Sequence, residues 1–262
     1  MTVGVVSGLS DVVGSSVLNA EALWRAFAAA RGHAVVDAPG WVAVDAGGDA
    51  GGTRVILLRP VSGAAQCESL HRLVLRSSQP VTVEDPFGSV DLSVLGFVPR
   101  LLSVMQGGPI AVGSLPQENP PQVTVQRVQR RERWRLLEAD RIVVDGFPRL
   151  SRYQPYRPGR MLPAGLLAMP DVSVFVADFL GTPAGACLTV KDRHGVGAVY
   201  WLAVLAERRR AGIGRALMLA AMKELVGLPM VLSATEQGVP LYRTLGFETA
   251  IQSTYWQGFN LN

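Results

Sequence analysis

Cysteine is scarce: Cys67 and Cys187 are the only two, far apart and outside any metal-type pair. That argues against a disulfide framework and a structural zinc site, and it fits a reducing compartment. Long apolar runs are lacking too, none approaching the roughly 20 residues that span a bilayer. The opening MTVGVVSGLSDVVGSS carries no basic leader. The expectation is a cytoplasmic protein with no membrane partner. Charge imbalance is small, at +4. Basic residues do bunch, as RVQRRERWR (127–135), RLSRYQPYRPGR (149–160) and RRR (208–210). The first cluster is broken by glutamate and none has the signature of a nucleic-acid fold, so nucleic acid is disfavoured. The 127–135 cluster reads as a solvated helix face with Trp134, Leu136 and Leu137 turned inward.

What remains is ample for a core: 48% apolar residues, with 28 glycines and 17 prolines marking tight connections. GGPIAVGSLPQENPPQ, residues 107–122, reads as a linker between a first unit (1–106) and a second (123–262). In the first, LNAEALWRAFAAARG has helical spacing with Asn19 as a cap and Leu18, Leu23, Trp24 and Phe27 on one face. GWVAVDA, TRVILLRP and PVTVED read as strands, and ESLHRLVLRSS as a helix. In the second unit VTVQRV is a strand, RERWRLLEADRIVV a helix and LPAGLLAMP a short helix closed by Pro170. VSVFVADF, AGACLTV and VGAVYWLAVL then form an antiparallel meander through the turns LGTP and KDRHG. A helix from about Gly212 to Val226, the strand PMVLSA, the short helix GVPLYRTLG and a strand from Phe247 to Trp256 complete it. The fold class is mixed α/β (α+β), a largely antiparallel sheet flanked by helices.

RRAGIG, residues 209–214, joins the third meander strand to a helix. A helix amino terminus presents unpaired N–H groups and partial positive charge, and glycine lets an anion approach the backbone closely. The third glycine of the dinucleotide fingerprint and the Lys-Ser/Thr of a triphosphate loop are both absent. Arg209, Gly212 and Gly214, preceded by LAVLAE and followed about thirty residues on by GVPLYRTLGFE, resemble the GNAT superfamily of N-acetyltransferases. The likeness extends from Val123 to Trp256.

The resemblance implies a GNAT-like fold and acetyl-CoA as cosubstrate, with direct transfer to a small-molecule or peptide amine in a ternary complex. It implies that the pyrophosphate meets the backbone of Arg210, Ala211, Gly212, Ile213, Gly214 and Arg215, with Arg209, Arg210 and Arg215 adding attraction. The pantetheine arm is implied to pair with Leu202, Ala203 and Val204, and Tyr242 to act as acid toward the departing thiolate. No metal is implied. The general base is not assigned, because GAVYWLAVL holds no acid; Glu207, Asp178, Glu236 and Glu248 stay open. His194 reads as a solvent-exposed turn residue, and Cys187 as a packed thiol rather than an acetyl carrier. The other reading is a module that binds acetyl-CoA and senses or regulates without turnover.

The first unit echoes the second, with Leu95-Gly96-Phe97 repeating Leu245-Gly246-Phe247, yet it has no Arg-x-x-Gly-x-Gly match. It reads as a degenerate, noncatalytic GNAT-like half that covers a sheet edge or shapes the acceptor cleft. Acceptor contacts are expected from FPRLSRYQPYRPGRM, with Arg149, Arg152, Arg157 and Arg160, and from the residues around Gly238. A homodimer stays open.

Overall fold

The computed structural model describes residues 9–45, 52–109, 120–147 and 154–258. Its first half holds α1 (Leu9–Arg31), β1 (Val35–Ala38), β2 (Trp41–Asp45), β3 (Thr53–Leu57), α2 (Ala64–Arg76), β4 (Val81–Asp85) and β5 (Val98–Gly107). Its second holds β6 (Val123–Arg127), α3 (Arg133–Gly146), β7 (Val172–Phe179), β8 (Thr182–Lys191) and β9 (Gly197–Val204). They are followed by α4 (Ile213–Glu224), β10 (Met230–Ala234), α5 (Val239–Arg243) and β11 (Glu248–Gly258). The fold is mixed α/β. The strands of the described residues join one 11-stranded sheet in the order β1-β2-β3-β4-β11-β5-β10-β9-β8-β7-β6, antiparallel except at β3–β4 and β9–β10.

That order contains an internal repeat with an exchanged strand. Each half runs strand, parallel crossover through a helix, strand, Leu-Gly-Phe corner, last strand. Gly96 and Gly246 make the two corners with φ of 78° and 85°, a left-handed conformation that costs glycine little. The last strands then trade places: β11 lies between β4 and β5, and β5 lies between β11 and β10. Their antiparallel pairing runs from Glu248↔Gln106 to Gln257↔Val98. The packing at its two ends is reciprocal. A side chain added at Gly107 would meet the Phe247 ring at 3.0 Å, and one at Gly258 would meet the Phe97 ring at 2.7 Å.

Apolar residues cover both faces of the sheet. One core joins α1 and α3 to the inward side chains of β2, β3, β7 and β8, and a second packs α4 on the opposite face of β7–β10. A third fills the space between α2 and the first-half strands. The antiparallel meander β7–β8–β9 and the helices α2, α3 and α4 lie where hydrophobic periodicity puts them. Residues 110–119, most of the expected linker, lie outside the described residues.

Two expectations are corrected. Asn19 caps nothing: α1 begins ten residues earlier, and Asn19 is fully buried within it. Its amide donates to the Val196 carbonyl at 2.9 Å and to Asp192 Oδ2 at 3.3 Å, tying the helix to the β8–β9 turn. In α3, Leu136 is buried as expected, but Trp134 and Leu137 are 61% and 39% exposed while Arg135 is 6% exposed. Arg135 turns inward because two carboxylates await it, Asp178 on β7 and Glu138 at 2.7 Å. Paired in this way its guanidinium can be buried.

Candidate active site

β9 and β10 are paired at only two positions, Met230↔Gly197 and Val231↔Ala198. Beyond Ala198 the parallel strands part, and among the described residues no strand lies beside the β10-facing edge of β9. A bulge sharpens the parting: between the pairs Leu188↔Tyr200 and Ala186↔Ala203, Cys187 faces two residues, Trp201 and Leu202. Trp201 has φ of 47°, uncommon for a bulky residue. Two successive rings, Tyr200 and Trp201, therefore point to the α1 face, where Trp201 stands edge-on to Trp24 and Phe27 at 5.9 and 5.1 Å. Leu202 and Val204 face α4. The bulge carries no obvious signal in the sequence.

After β9 the chain makes a 3₁₀ turn at Ala206–Arg208 and enters α4 through Gly212, with φ of 80°. Arg210 also has positive φ, 68°. The helix's first hydrogen bond is donated by Ala216 to the Gly212 carbonyl, which leaves the N–H groups of Ile213, Gly214 and Arg215 directed out of the helix end. Gly214 sits close beneath Leu202, Val204 and Leu241, each within 3.8 Å of where a β-carbon would lie. Arg209 braces the loop rather than standing free: its guanidinium donates to the carbonyls of Gly146 at 3.1 Å and Val204 at 3.4 Å. Residues 202–204 and 209–215 thus frame one opening, an exposed strand edge leading to a helix amino terminus. Such a surface suits a long polar chain ending in phosphates.

Tyr242 stands on the same α4 face, in α5, packed 6.3 Å from the Phe247 ring and against Gly238. Burial, and then its proximity to Cys187, raise its phenol well above the ordinary range, so it keeps its proton. Cys187 is buried in β8 and its thiol is pushed up by burial, which makes it a poor nucleophile.

The carboxylates singled out from the sequence do not converge here. Asp178 is committed to Arg135, and Glu207, Glu236 and Glu248 are exposed. His194 is exposed at the β8–β9 turn. The sequence reading missed Glu84. Alternation along β4 turns Thr82 and Glu84 away from the apolar Val81 and Val83, toward α1 and the gap between β9 and β10. Glu84 is 7% exposed; Trp24 Nε1 donates to its Oε1 at 3.1 Å and Arg54 Nη1 stands 3.2 Å from the same atom. Tyr255, its cross-strand partner on β11, lines the same cavity. Burial raises the carboxyl's affinity for its proton, opposed by Arg54, Trp24 and Tyr255. Among the described residues, no cluster of side chains suits a metal ion.

The first half lacks the opening. There β3 and β4 stay in parallel register from Thr53↔Val81 to Ile56↔Glu84, so no gap separates them. The expected acceptor segment is only partly described, with Arg149 and Arg152 outside the described residues. Its later part is fastened to α3: the Asp140 carboxylate accepts the N–H groups of Gly159, Met161 and Leu162, and the Tyr156 hydroxyl donates to the Leu137 carbonyl at 3.1 Å.

Comparison with known proteins agrees with this geometry. Residues 170–249 match the model of the acetyltransferase (GNAT) domain. No curated protein matches the sequence. Among solved structures, a GCN5-related N-acetyltransferase from Kribbella flavida superposes with a TM-score of 0.66 at 18% identity, covering 95% of this chain and 97% of that one. A conserved protein of unknown function from Staphylococcus epidermidis gives 0.63 at 15%, covering 87% and 95%. A GCN5-related N-acetyltransferase from Sphaerobacter thermophilus gives 0.52 at 16%, covering 84% and 76%. At these identities the likeness establishes a GNAT-like fold that embraces the amino-terminal half as well. Among the described residues no helix is long and apolar enough to cross a membrane.

Proposed function

We propose that this chain, whose residues 170–249 match an acetyltransferase (GNAT) domain, is an acetyl-CoA-dependent N-acetyltransferase that passes the acetyl group directly to an amine in a ternary complex. The observation that carries this reading is the parting of β9 from β10 after Ala198, beside a helix entered through a left-handed glycine. The free edge at Leu202, Ala203 and Val204 offers amide and carbonyl groups to a pantetheine arm, and the N–H groups from Arg210 to Arg215 offer positive ends to a pyrophosphate.

In this reading the acetyl carbonyl lies in the gap, and a backbone N–H near Val204 steadies the oxyanion that forms as nitrogen attacks. The C–N bond forms, the nitrogen gives up a proton, the C–S bond breaks, and Tyr242 gives its proton to the departing thiolate and regains one from solvent. Burial keeps that phenol protonated, so its O–H is available to the departing sulfur, while the raised proton affinity makes it a weaker proton donor than an ordinary phenol. Cys187, buried and protonated, does not support an acetyl-cysteine intermediate. The second unit (123–262) carries the chemistry, and the first unit (1–106) is GNAT-like but noncatalytic on its own, consistent with its closed β3–β4 pair. The free cysteines fit a cytoplasmic setting.

Titration calorimetry with acetyl-CoA, followed by thiol release over small amines, amino acids and peptides, tests the reading. Binding with amine-dependent thiol release is expected. Binding without release from any amine would replace the enzyme with a sensing module, and no binding would remove both.

A further inference from the structure

We infer that Glu84, a residue of the first half, is the general base of acetyl transfer, reached from the gap between β9 and β10 through the hydroxyls of Ser233 and Tyr255. This rests on the acetyltransferase reading above and assigns the base that the second half does not hold.

The argument begins with a cavity of about 30 Å³ on the α1 side of the sheet. Its walls include Tyr200 on β9, Val231 and Ser233 on β10, Tyr255 on β11 and Glu84 on β4. Val231 is the last β10 residue paired with β9 and Ser233 lies two positions farther on, so the cavity opens where the strands part. Tyr242 and the α4 amino terminus stand on the opposite face. A thioester held in the gap would therefore present one side to Tyr242 and the other to this cavity, which has room for a single amino group or one water.

Glu84 is the one carboxylate lining the cavity. The Tyr255 hydroxyl donates to Ser233 Oγ at 3.1 Å, and Tyr255 is the cross-strand partner of Glu84 and lines the same cavity. Every link in this chain can both give and receive a proton. The charged and titratable groups that face Glu84 are Arg54 on β3, Tyr255 on β11 and Tyr200 on β9; Trp24 on α1 donates a neutral N–H. Arg54 is itself stacked on Trp24 at 4.3 Å, which fixes it against the carboxylate. Both Arg54 and Trp24 bond to Oε1.

The step balances. With the two hydroxyls turned so that Ser233 donates to Tyr255 and Tyr255 to Glu84, an ammonium nitrogen in the cavity loses a proton to Ser233 Oγ as the serine proton passes to Tyr255 and the tyrosine proton to Glu84. The net change is ammonium and carboxylate to amine and carboxylic acid. The freed lone pair attacks the thioester carbon, the C–S bond breaks and the thiolate takes the proton of Tyr242, while the nitrogen, now bonded to carbon, gives up its second proton through solvent to restore the Tyr242 hydroxyl. Strand exchange is what brings the base to the reaction: β11 carries Tyr255 from the second half to lie beside Glu84 of the first.

Two probes that need no knowledge of the natural acceptor test this: water, by hydrolysis of acetyl-CoA, and methoxyamine, which is already uncharged at neutral pH. Glu84→Gln should bind acetyl-CoA as the wild type does, hydrolyse it about 10²-fold more slowly, and acetylate methoxyamine within about threefold of the wild-type rate. Tyr255→Phe interrupts the relay without unpairing Arg54, so it serves if Glu84→Gln fails to fold; it should slow hydrolysis about tenfold with the same sparing of methoxyamine. Equal hydrolysis by wild type and variants, equal losses toward both probes, or wild-type hydrolysis no faster than the uncatalysed rate would overturn the assignment. Failure of the wild type to bind acetyl-CoA would instead strike the acetyltransferase reading itself.

Discussion

Leu92 and Tyr242 occupy the same place in two copies of one turn: the Leu92 carbonyl accepts the N–H of Phe97 at 3.2 Å, and the Tyr242 carbonyl that of Phe247 at 3.1 Å. One copy keeps a fully buried aliphatic side chain there and the other a phenol. The turn therefore needs an apolar body at this position and does not need a hydroxyl.

Tyr242→Phe should accordingly leave unfolding temperature and acetyl-CoA affinity unchanged while lowering kcat. A lost proton donor costs about 10²- to 10⁴-fold, and a thiolate leaves tolerably well unprotonated, so the lower end is expected. The effect should fall on kcat rather than KM, because the hydroxyl matters most as charge builds on sulfur. A kcat within about twofold of wild type, where chemistry limits turnover, would reduce Tyr242 to packing.

Gly212→Asp puts a side chain where φ is 80° and where a β-carbon would come within 2.7 Å of Pro120. The left-handed conformation alone costs about 1–2 kcal/mol, a fall of a few degrees in unfolding temperature for a chain of this size. Acetyl-CoA affinity should collapse far beyond that, since the carboxylate would lie where the phosphates would. Calorimetry on the folded variant decides, and undiminished affinity would move the phosphate site elsewhere.

Arg135→Met should be among the more damaging changes outside the site. It strands the Asp178 carboxylate, 13% exposed, whose Oδ1 already has no hydrogen-bond partner. Breaking such a pair costs about 3–5 kcal/mol, whereas replacing both partners by apolar groups is often neutral. Denaturant unfolding should show a large loss for the single variant and recovery for Arg135→Met with Asp178→Leu. No recovery would mean that the pair does more than satisfy itself.

The raised proton affinity of Glu84 has a defined sign in stability. Between the ordinary glutamate value of 4.5 and its higher native one, the folded protein binds more protons than the unfolded chain. Stability attributable to this residue thus falls as pH rises through that window and levels off above it. Unfolding curves across the acid range should show the wild type losing ground to Glu84→Gln as pH increases. Parallel curves would mean that Arg54 offsets the burial in full.

The parts that sequence made legible are those with local causes. Apolar alternation marks β7, β8 and β9, the apolar run RALMLAAMKELV marks α4, and Arg209, Gly212 and Gly214 mark the strand-to-helix loop. Glu84 escaped notice because PVTVED reads as a strand with one apolar face; its other face is covered by α1, from a distant part of the chain. Arg135 misled for the same reason, since its partner Asp178 lies forty-three residues on. The place of β11 between β4 and β5 leaves no local trace, being fixed by tertiary packing.

The exchanged strands also set the order in which the protein can come into being. When the ribosome has released β4 and β5, neither has β11 beside it, because β11 follows all the other described strands in the sequence. Two sheet edges must wait through the synthesis of everything from β6 to α5. Such distant pairings make for slow folding, and the waiting edges are open to mispairing with other nascent chains. A stop codon just ahead of Glu248 would spare every residue of the phosphate loop and still leave both halves without a finished sheet.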